Sequence, residues 1–307
     1  MSGPVTTPDD DPVTAVDDPV TAGVELVEGK PAMVGSLPVR RALPRRGRRT
    51  VGPWCFADLM GPVDDARAGG IGPHPHIGLQ TVTWLLDGEL LHLDSLGSEQ
   101  PIRPGQLNLM TAGHGVAHAE ESPGGGGLHG IQLWIAQPEA TRHGAPGFEH
   151  HAELPQLELG SGTATVLVGT LGGMTSPARA DTSHVGAEVV LAGRVVVPLD
   201  GAFEHALLVT TGAVDVAGAV VPAGTLAYLP PGRDEIRVNA AVPSRLLLLG
   251  GEPFDEELVM WWNYVGRTRA EITDAHAAWT ARTERFGEVA SSLAAIDVDA
   301  PPWRRGA

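Results

Sequence analysis

A single cysteine, Cys55, in 307 residues leaves no partner for an intrachain disulfide and excludes a zinc site built on several thiolates. A reducing compartment, the cytoplasm, is the expectation. Positive charge is scarce as well: 21 lysines and arginines against 37 aspartates and glutamates give a formal net charge of −16. That balance opposes binding to phosphate backbones, whose affinity comes largely from Lys and Arg contacts, so direct nucleic-acid binding is not expected. One cluster runs against the balance, Arg40, Arg41, Arg45, Arg46, Arg48 and Arg49, and a run this short reads as a solvated basic loop. No basic residue precedes Lys30, the N-terminus holds no apolar signal core, and no uncharged apolar stretch reaches the length of a membrane span. Neither export by a standard signal nor a membrane-spanning role is expected.

What is present suits a folded, strand-rich chain. Hydrophobic residues make up 42% of it, and the length suits two domains of about 120–150 residues each. Forty glycines and 26 prolines break short runs of Val, Leu and Ile, which favours strands and turns over long helices. Asp10-Asp11-Pro12-Val13-Thr14-Ala15 recurs as Asp17-Asp18-Pro19-Val20-Thr21-Ala22, an acidic, Pro-interrupted pattern that cannot build a core. Residues 1–25 are expected to be a disordered tail. From about residue 50, strand and turn alternate. A β-rich run at 81–86 ends at Asp87-Gly88, a hairpin signal, and 89–94 returns. Pro104-Gly105 turns the chain into 106–110, and the glycines at 124–127 read as a flexible loop before a strand at 128–135.

The second half repeats this layout, with Gly212, Gly224 and Gly232 near the offsets of Gly88, Gly105 and Gly113, as duplication of one β-barrel unit would produce. Thr268-Arg269-Ala270-Glu271 reads as a capping box, and Ile272, Ala275 and Trp279 share one face of the helix it opens. The expected domains are a first barrel over 26–155, a second barrel with the helix over 156–290, and a tail over 291–307.

Two short segments carry chemistry. Gly72-Pro73-His74-Pro75-His76-Ile77-Gly78 places two imidazoles two residues apart, and in an extended segment residues i and i+2 point to the same side. Ala117-His118-Ala119-Glu120 repeats that geometry with an imidazole and a carboxylate. If the segments face each other inside a barrel, four ligands converge on one ion. Three neutral imidazoles and a carboxylate suit Fe(II), Mn(II), Ni(II), Cu(II) or Zn(II), with positions left open for water, dioxygen or substrate in an octahedral ion. The other histidines read differently. His92, in Leu91-His92-Leu93-Asp94, opposes the apolar positions and is expected to be a surface-facing or hydrogen-bonded strand residue. His114 sits in a glycine-flanked corner and is expected to be exposed. His150 and His151, beside Glu149 and Glu153, are expected to be solvated near the domain linker.

Pro73-His74-Pro75-His76-Ile77-Gly78, Ser95-Leu96-Gly97-Ser98-Glu99-Gln100 and the run 110–120 that ends in Ala117-His118-Ala119-Glu120 resemble the pirin family of the cupin superfamily. Val51-Gly52-Pro53, Gly61-Pro62 and Trp261-Trp262-Asn263 add to the likeness, which spans roughly residues 35–285. The resemblance implies an all-β bicupin, two jelly-roll-like β-barrel domains with a C-terminal helix. It also implies one metal in the first barrel on His74, His76, His118 and Glu120, the same four that spacing selects. Gln80 departs from the pattern, standing where many cupins carry a Glu, and His114 replaces what is often a cationic residue. Offsets from the repeat glycines put Pro198, Asp200, Arg237 and Asn239 at the ligand positions of the second barrel, so one metal per chain is expected. Glu204 and His205 read as polar residues satisfied locally.

Some pirins are associated with quercetin 2,3-dioxygenase activity and others with regulatory protein–protein roles. The enzyme reading is a dioxygenase acting on a flavonol or related enolic aromatic, with Fe(II) put first among the metals and Glu120 as the base that takes the 3-hydroxyl proton. The alternative is a metal- or redox-responsive regulator that contacts another protein near the site, without catalysis. The expected partner is accordingly a small aromatic substrate or a regulatory protein.

Overall fold

Short runs rich in Val, Leu and Ile, bounded by glycine and proline, become strands through the described residues, and among these one α-helix, Arg269–Thr280, follows them. The structure, a computed structural model, describes residues 23–304 apart from 35–36, 67–68 and 125. The expected disordered tail lies, up to residue 22, outside the described residues. Four main antiparallel sheets pair into two barrels. In the first, a seven-stranded sheet faces a four-stranded one made of Gly69–His76, Val116–Ser122, Leu90–Asp94 and Glu99–Ile102. The second sets eight strands against four, the smaller sheet holding Arg194–Pro198, Glu235–Asn239, Ala213–Val216 and Ala219–Pro222. This is the bicupin plan the resemblance implies.

The turn at Asp87-Gly88 corrects one expectation. Its flanking strands do not form a hairpin: Leu79–Asp87 pairs with Leu107–Thr111 and Gly126–Ala136 in the large sheet, whereas Leu90–Asp94 pairs with Val116–Ser122 in the small one. Gly88 has φ of 88°, and a Cβ there would lie 2.3 Å from the Gly127 carbonyl oxygen. The Asp-Gly signal thus specifies a left-handed residue, which a crossing between sheets uses as readily as a hairpin does. The expected loop at 124–127 is shorter than thought, since the next strand already starts at Gly126.

The large sheets are buried on both faces, and alternation along each strand sorts side chains between two cores. Ala57, Leu59, Val82, Trp84, Ile131 and Leu133 meet Ala206, Leu208, Leu247 and Leu249 of the second barrel in one continuous cluster. The residues between them, among them Phe56, Asp58, Met60, Gln132 and Trp134, face the lumen of the first barrel instead. The same packing that joins the barrels therefore aims polar residues at one internal point.

The two barrels are also laced together. Glu25–Glu28 pairs with Thr225–Leu229 of the second barrel, although it precedes the first in sequence. Arg48 stacks over Tyr228 at 3.4 Å and pairs with Glu25 at 2.5 Å, while Arg41 grips Asp58 through two bonds of 2.8 and 2.7 Å. These pairs correct the reading of a solvated loop for Arg41 and Arg48, while Arg40, Arg46 and Arg49 are exposed as expected. We propose the domain division after residue 155, between Gly147–His151, which pairs in the first barrel, and Gln156–Glu158, which pairs in the second.

Thr268 caps the helix by accepting the Glu271 N–H at 3.2 Å, and Ile272, Ala275 and Trp279 are buried as the spacing predicts. Residues beyond 290 fold back over it: Trp279 Nε1–H donates to the Ile296 carbonyl, and Ile296 N–H to that of Pro73. That return covers the strand carrying His74 and His76. No described helix is long and apolar enough to cross a membrane.

Candidate metal centre

Pro73 and Pro75 hold their segment extended, and strand register brings in the partner. Val116–Ser122 runs antiparallel to Gly69–His76 with His118 opposite His74. His74, His76 and His118 thereby bring ligand nitrogens to within 4.8 Å of one another. Glu120 follows a register shift between His118 and Glu120 and lines the same cavity, but it is not part of that close group. Its Oε1 accepts a hydrogen bond from Thr83 Oγ1 at 3.1 Å. All four residues are buried.

Burial keeps the imidazoles neutral. Desolvation is the main cause in each: it pulls His74 down to about 4 and holds His76 and His118 well below the usual histidine value, with neighbouring rings adding to the effect. Which nitrogen carries the proton follows from the partners. His74 Nδ1–H donates to the Gly72 carbonyl at 2.8 Å and His76 Nδ1–H to that of Asn263 at 2.9 Å, so both Nε2 atoms carry lone pairs.

His118 is oriented through a chain of groups. Its Nδ1 lies 3.4 Å from His92 Nδ1, and His92 Nε2 lies 3.2 Å from Asp94 Oδ2. Burial would raise the Asp94 carboxyl, but bonds from His92 and Ser98 outweigh it and hold the group below the usual carboxylate range. An ionised Asp94 calls for a proton on His92 Nε2. A neutral His92 then offers its Nδ1 lone pair to His118 Nδ1–H, which leaves His118 Nε2 bare. That atom stands 3.1 Å from the bare Nε2 of His76. Two lone pairs facing at this distance repel, and no set of neutral tautomers satisfies Asp94 and both Nε2 atoms together. A cation between the rings removes the conflict, so the donor set fits a metal ion.

The space beside the rings is about 40 Å³, room for an ion and a water molecule. Its walls include Val39, Met60, Ile71, Phe56 and Trp134, with the Arg41 guanidinium 4.7 Å above the Phe56 ring. Burial pushes the Glu120 carboxyl up, against opposing contributions from His92 and the Thr83 hydroxyl. A carboxylate with raised proton affinity inside a small cavity can serve as a ligand or as a base.

Several expectations change. His92 is the hydrogen-bonded strand residue of the two alternatives and not the surface-facing one: it is buried, joined to Asp94 and His118, and stacked on Phe148 at 4.3 Å. His150 and His151 belong to a strand, bonded to Asn108 Oδ1 at 2.7 Å and Glu149 Oε2 at 3.0 Å, rather than solvated in a linker. His114 is exposed, as expected. Gln80 donates to Thr111 Oγ1 at 3.0 Å and does not line the cavity. Asn263 joins the site unforeseen. It sits in the turn between Val259–Trp261 and Tyr264–Gly266, next to Trp262 at φ of 54°, and that turn delivers the carbonyl that orients His76. Its only sequence signal was the Trp261-Trp262-Asn263 motif.

Known proteins share this architecture. The family model described as Pirin matches residues 36–135, and that described as Pirin C-terminal cupin domain matches 187–287. A Pseudomonas aeruginosa protein provisionally named a quercetin 2,3-dioxygenase is 46% identical over 277 residues, 88% of either chain. A pirin-like protein of Caulobacter vibrioides is 35% identical over 261 residues, 81% of this chain and 90% of its own. Among solved structures, a quercetin 2,3-dioxygenase from Acinetobacter baumannii superposes with a TM-score of 0.87 at 39% identity, covering 91% of this chain and 96% of the other.

Proposed function

The chain belongs to the pirin family, and from that premise we propose that it is a mononuclear metal dioxygenase of the quercetin 2,3-dioxygenase type, acting on a flavonol or related enolic aromatic. The ion is held by His74, His76, His118 and Glu120. The facing Nε2 atoms of His76 and His118 carry this reading, because with neutral rings both bear lone pairs and a cation between them reconciles the two. Fe(II) comes first, since imidazole and carboxylate donors with open positions suit dioxygen chemistry at iron, while Mn, Ni, Cu and Zn fit the same donors.

When bound, the ion supplies positive charge that stabilises a deprotonated enol and so favours its reaction with dioxygen. The chain's own groups do the rest. Backbone carbonyls lock His74 and His76, and His92 with Asp94 locks His118. Glu120 takes the 3-hydroxyl proton, with Thr83 fixing the direction of its Oε1. A flavonol needs far more than the roughly 40 Å³ beside the rings. Only its enolic edge enters, and the apolar walls at Val39, Met60 and Ile71 keep bulk water from the reacting edge. A cytoplasmic location belongs to the same reading: Cys55 is fully buried, its thiol pushed up to about 12 by desolvation, and it acts as a small core hydrophobe.

The test is anaerobic reconstitution with Fe(II), then with Mn(II), Ni(II) and Cu(II), followed by oxygen uptake with quercetin and with simpler enediols. Uptake above that of free metal supports the dioxygenase. No uptake with every metal demonstrably bound overturns it in favour of a metal-responsive regulator.

A further inference from the structure

The chain crosses between the two sheets of the first barrel twice beside the metal centre. Gly69–His76 continues through Gly78 into Leu79–Asp87, and Leu107–Thr111 continues through Gly113 into Val116–Ser122. The two crossings touch, since the Gly78 N–H donates to the Gly113 carbonyl at 2.9 Å. His76 lies two residues from this corner and His118 five, so a shift there moves both rings. Register makes such a shift costly: His118 stands opposite His74, and a slip of one residue would turn it to the other face.

Gln137 stands at that corner. It follows directly on Gly126–Ala136, whose last residue pairs with Leu79, and it is fully buried. Each segment that supplies the centre is bonded to it. Its N–H donates to the Gly78 carbonyl at 3.0 Å, just past His76. Its Oε1 accepts the Gly113 N–H at 2.8 Å, at the start of the run to His118. Its carbonyl accepts from Arg267 Nη2 at 2.7 Å, and Arg267 ends the strand Tyr264–Gly266 that follows Asn263 and its bond to His76. The remaining side-chain atom reaches out of the barrel: Nε2–H donates to Asp181 Oδ2 at 3.0 Å in the second barrel, and at 3.4 Å to the Thr141 carbonyl.

Asp181 is itself held in place. Thr141 Oγ1–H donates to the same Oδ2 at 2.8 Å, and Arg179 Nε–H to Oδ1 at 2.7 Å. Burial would raise its carboxyl, but bonds from Arg179, Gln137 and Thr141 outweigh it and hold the group below the usual carboxylate range. A carboxylate only accepts and the Gly113 N–H only donates, so the Gln137 amide has one orientation, oxygen to Gly113 and nitrogen to Asp181. A buried amide satisfied on both sides is costly to displace. We propose that Gln137 is a positioning residue for the metal centre, setting His76 against His118, with Asp181 of the second barrel as its fixed point. The proposal rests on the metal reading above. It gives the second barrel, which has no close group of ligands among the described residues, a part in the centre of the first.

One equivalent of Cu(II) on the full chain tests this, read by its electron paramagnetic resonance spectrum and by competitive chelator titration. Gln137→Met fills the space but makes neither side-chain bond, so copper affinity falls about tenfold and the spectrum shifts. Asp181→Ala, a change confined to the second barrel, shifts the spectrum in the same way with a smaller loss of affinity, and it carries the test if Gln137→Met does not fold. Asp181→Asn still offers Gln137 an acceptor and keeps the native spectrum, although it weakens the pair with Arg179. Tyr228→Phe, elsewhere at the junction of the barrels, shifts nothing. A role confined to stability would lower the melting temperature and leave the copper spectrum of the folded protein alone. Native spectrum and affinity in the folded Gln137 or Asp181→Ala variant, or equal shifts in Asp181→Ala and Asp181→Asn, overturn the proposal while the unsubstituted protein still binds copper. Unsubstituted protein that binds no Cu(II) overturns the metal reading itself, and this proposal with it.

Discussion

The two barrels share one plan and diverge at the same end. In the first, Gly69–His76 ends in two histidines, and the antiparallel partner strand sets His118 opposite His74. In the second, the corresponding pair of strands brings Pro198 opposite Glu235 and Arg237 opposite Val196. Histidines are present there too, but His184 and His205 are offset by one residue about Gly250 and Gly251 and so fall on opposite faces. The cavity is about 40 Å³ where rings converge and about 700 Å³ where they do not. A barrel end offers a place for a site, and the period of two along its strands decides whether imidazoles meet in it.

The comparison breaks most visibly at Glu120. Glu120→Gln keeps an oxygen ligand but cannot take a proton, so turnover falls about 10²–10⁴-fold while part of the metal remains, read by oxygen uptake beside elemental analysis. Equal loss of metal and turnover would make Glu120 a ligand and nothing more. His92→Phe comes next. The ring stack on Phe148 is preserved and the link from His118 to Asp94 is cut, so metal affinity drops about 10–100-fold in a competitive chelator titration. Unaltered affinity with the melting temperature maintained would mean that His118 needs no such support. Smallest is Tyr228→Phe at the junction of the barrels, which removes one of the two bonds to buried Glu204. Denaturant unfolding registers about 1 kcal/mol of lost stability and metal content stays the same. A drop in metal content would show that the barrels are coupled more tightly than their packing indicates.

Legibility in the sequence followed the same divide between local and distant information. The cluster of His74, His76 and His118 was readable because strand period puts i and i+2 on one side and pairing sets the two segments face to face, whereas Glu120 lines the same cavity outside that close group. His92 at the site was not readable, because alternation reads polar positions as outward, and the lumen beside these ligands is itself polar. Its place becomes evident only from pairing, which sets His92 opposite Glu120 and Asp94 opposite His118 on one face. The two barrels were visible in the glycine spacing, yet the partners of each strand were not, since Asp87-Gly88 encodes a left-handed residue and says nothing about which sheet the chain enters next. Asn263 reaches His76 across 187 positions of sequence, a contact that no local pattern announces.

The most direct test is metal content in protein purified without an affinity tag, compared between first-barrel and second-barrel substitutions. The account predicts one metal per chain, lost in His76→Ala and in His118→Ala and untouched by His184→Gln and His205→Leu. Two metals per chain, or undiminished metal after both first-barrel substitutions, would contradict it.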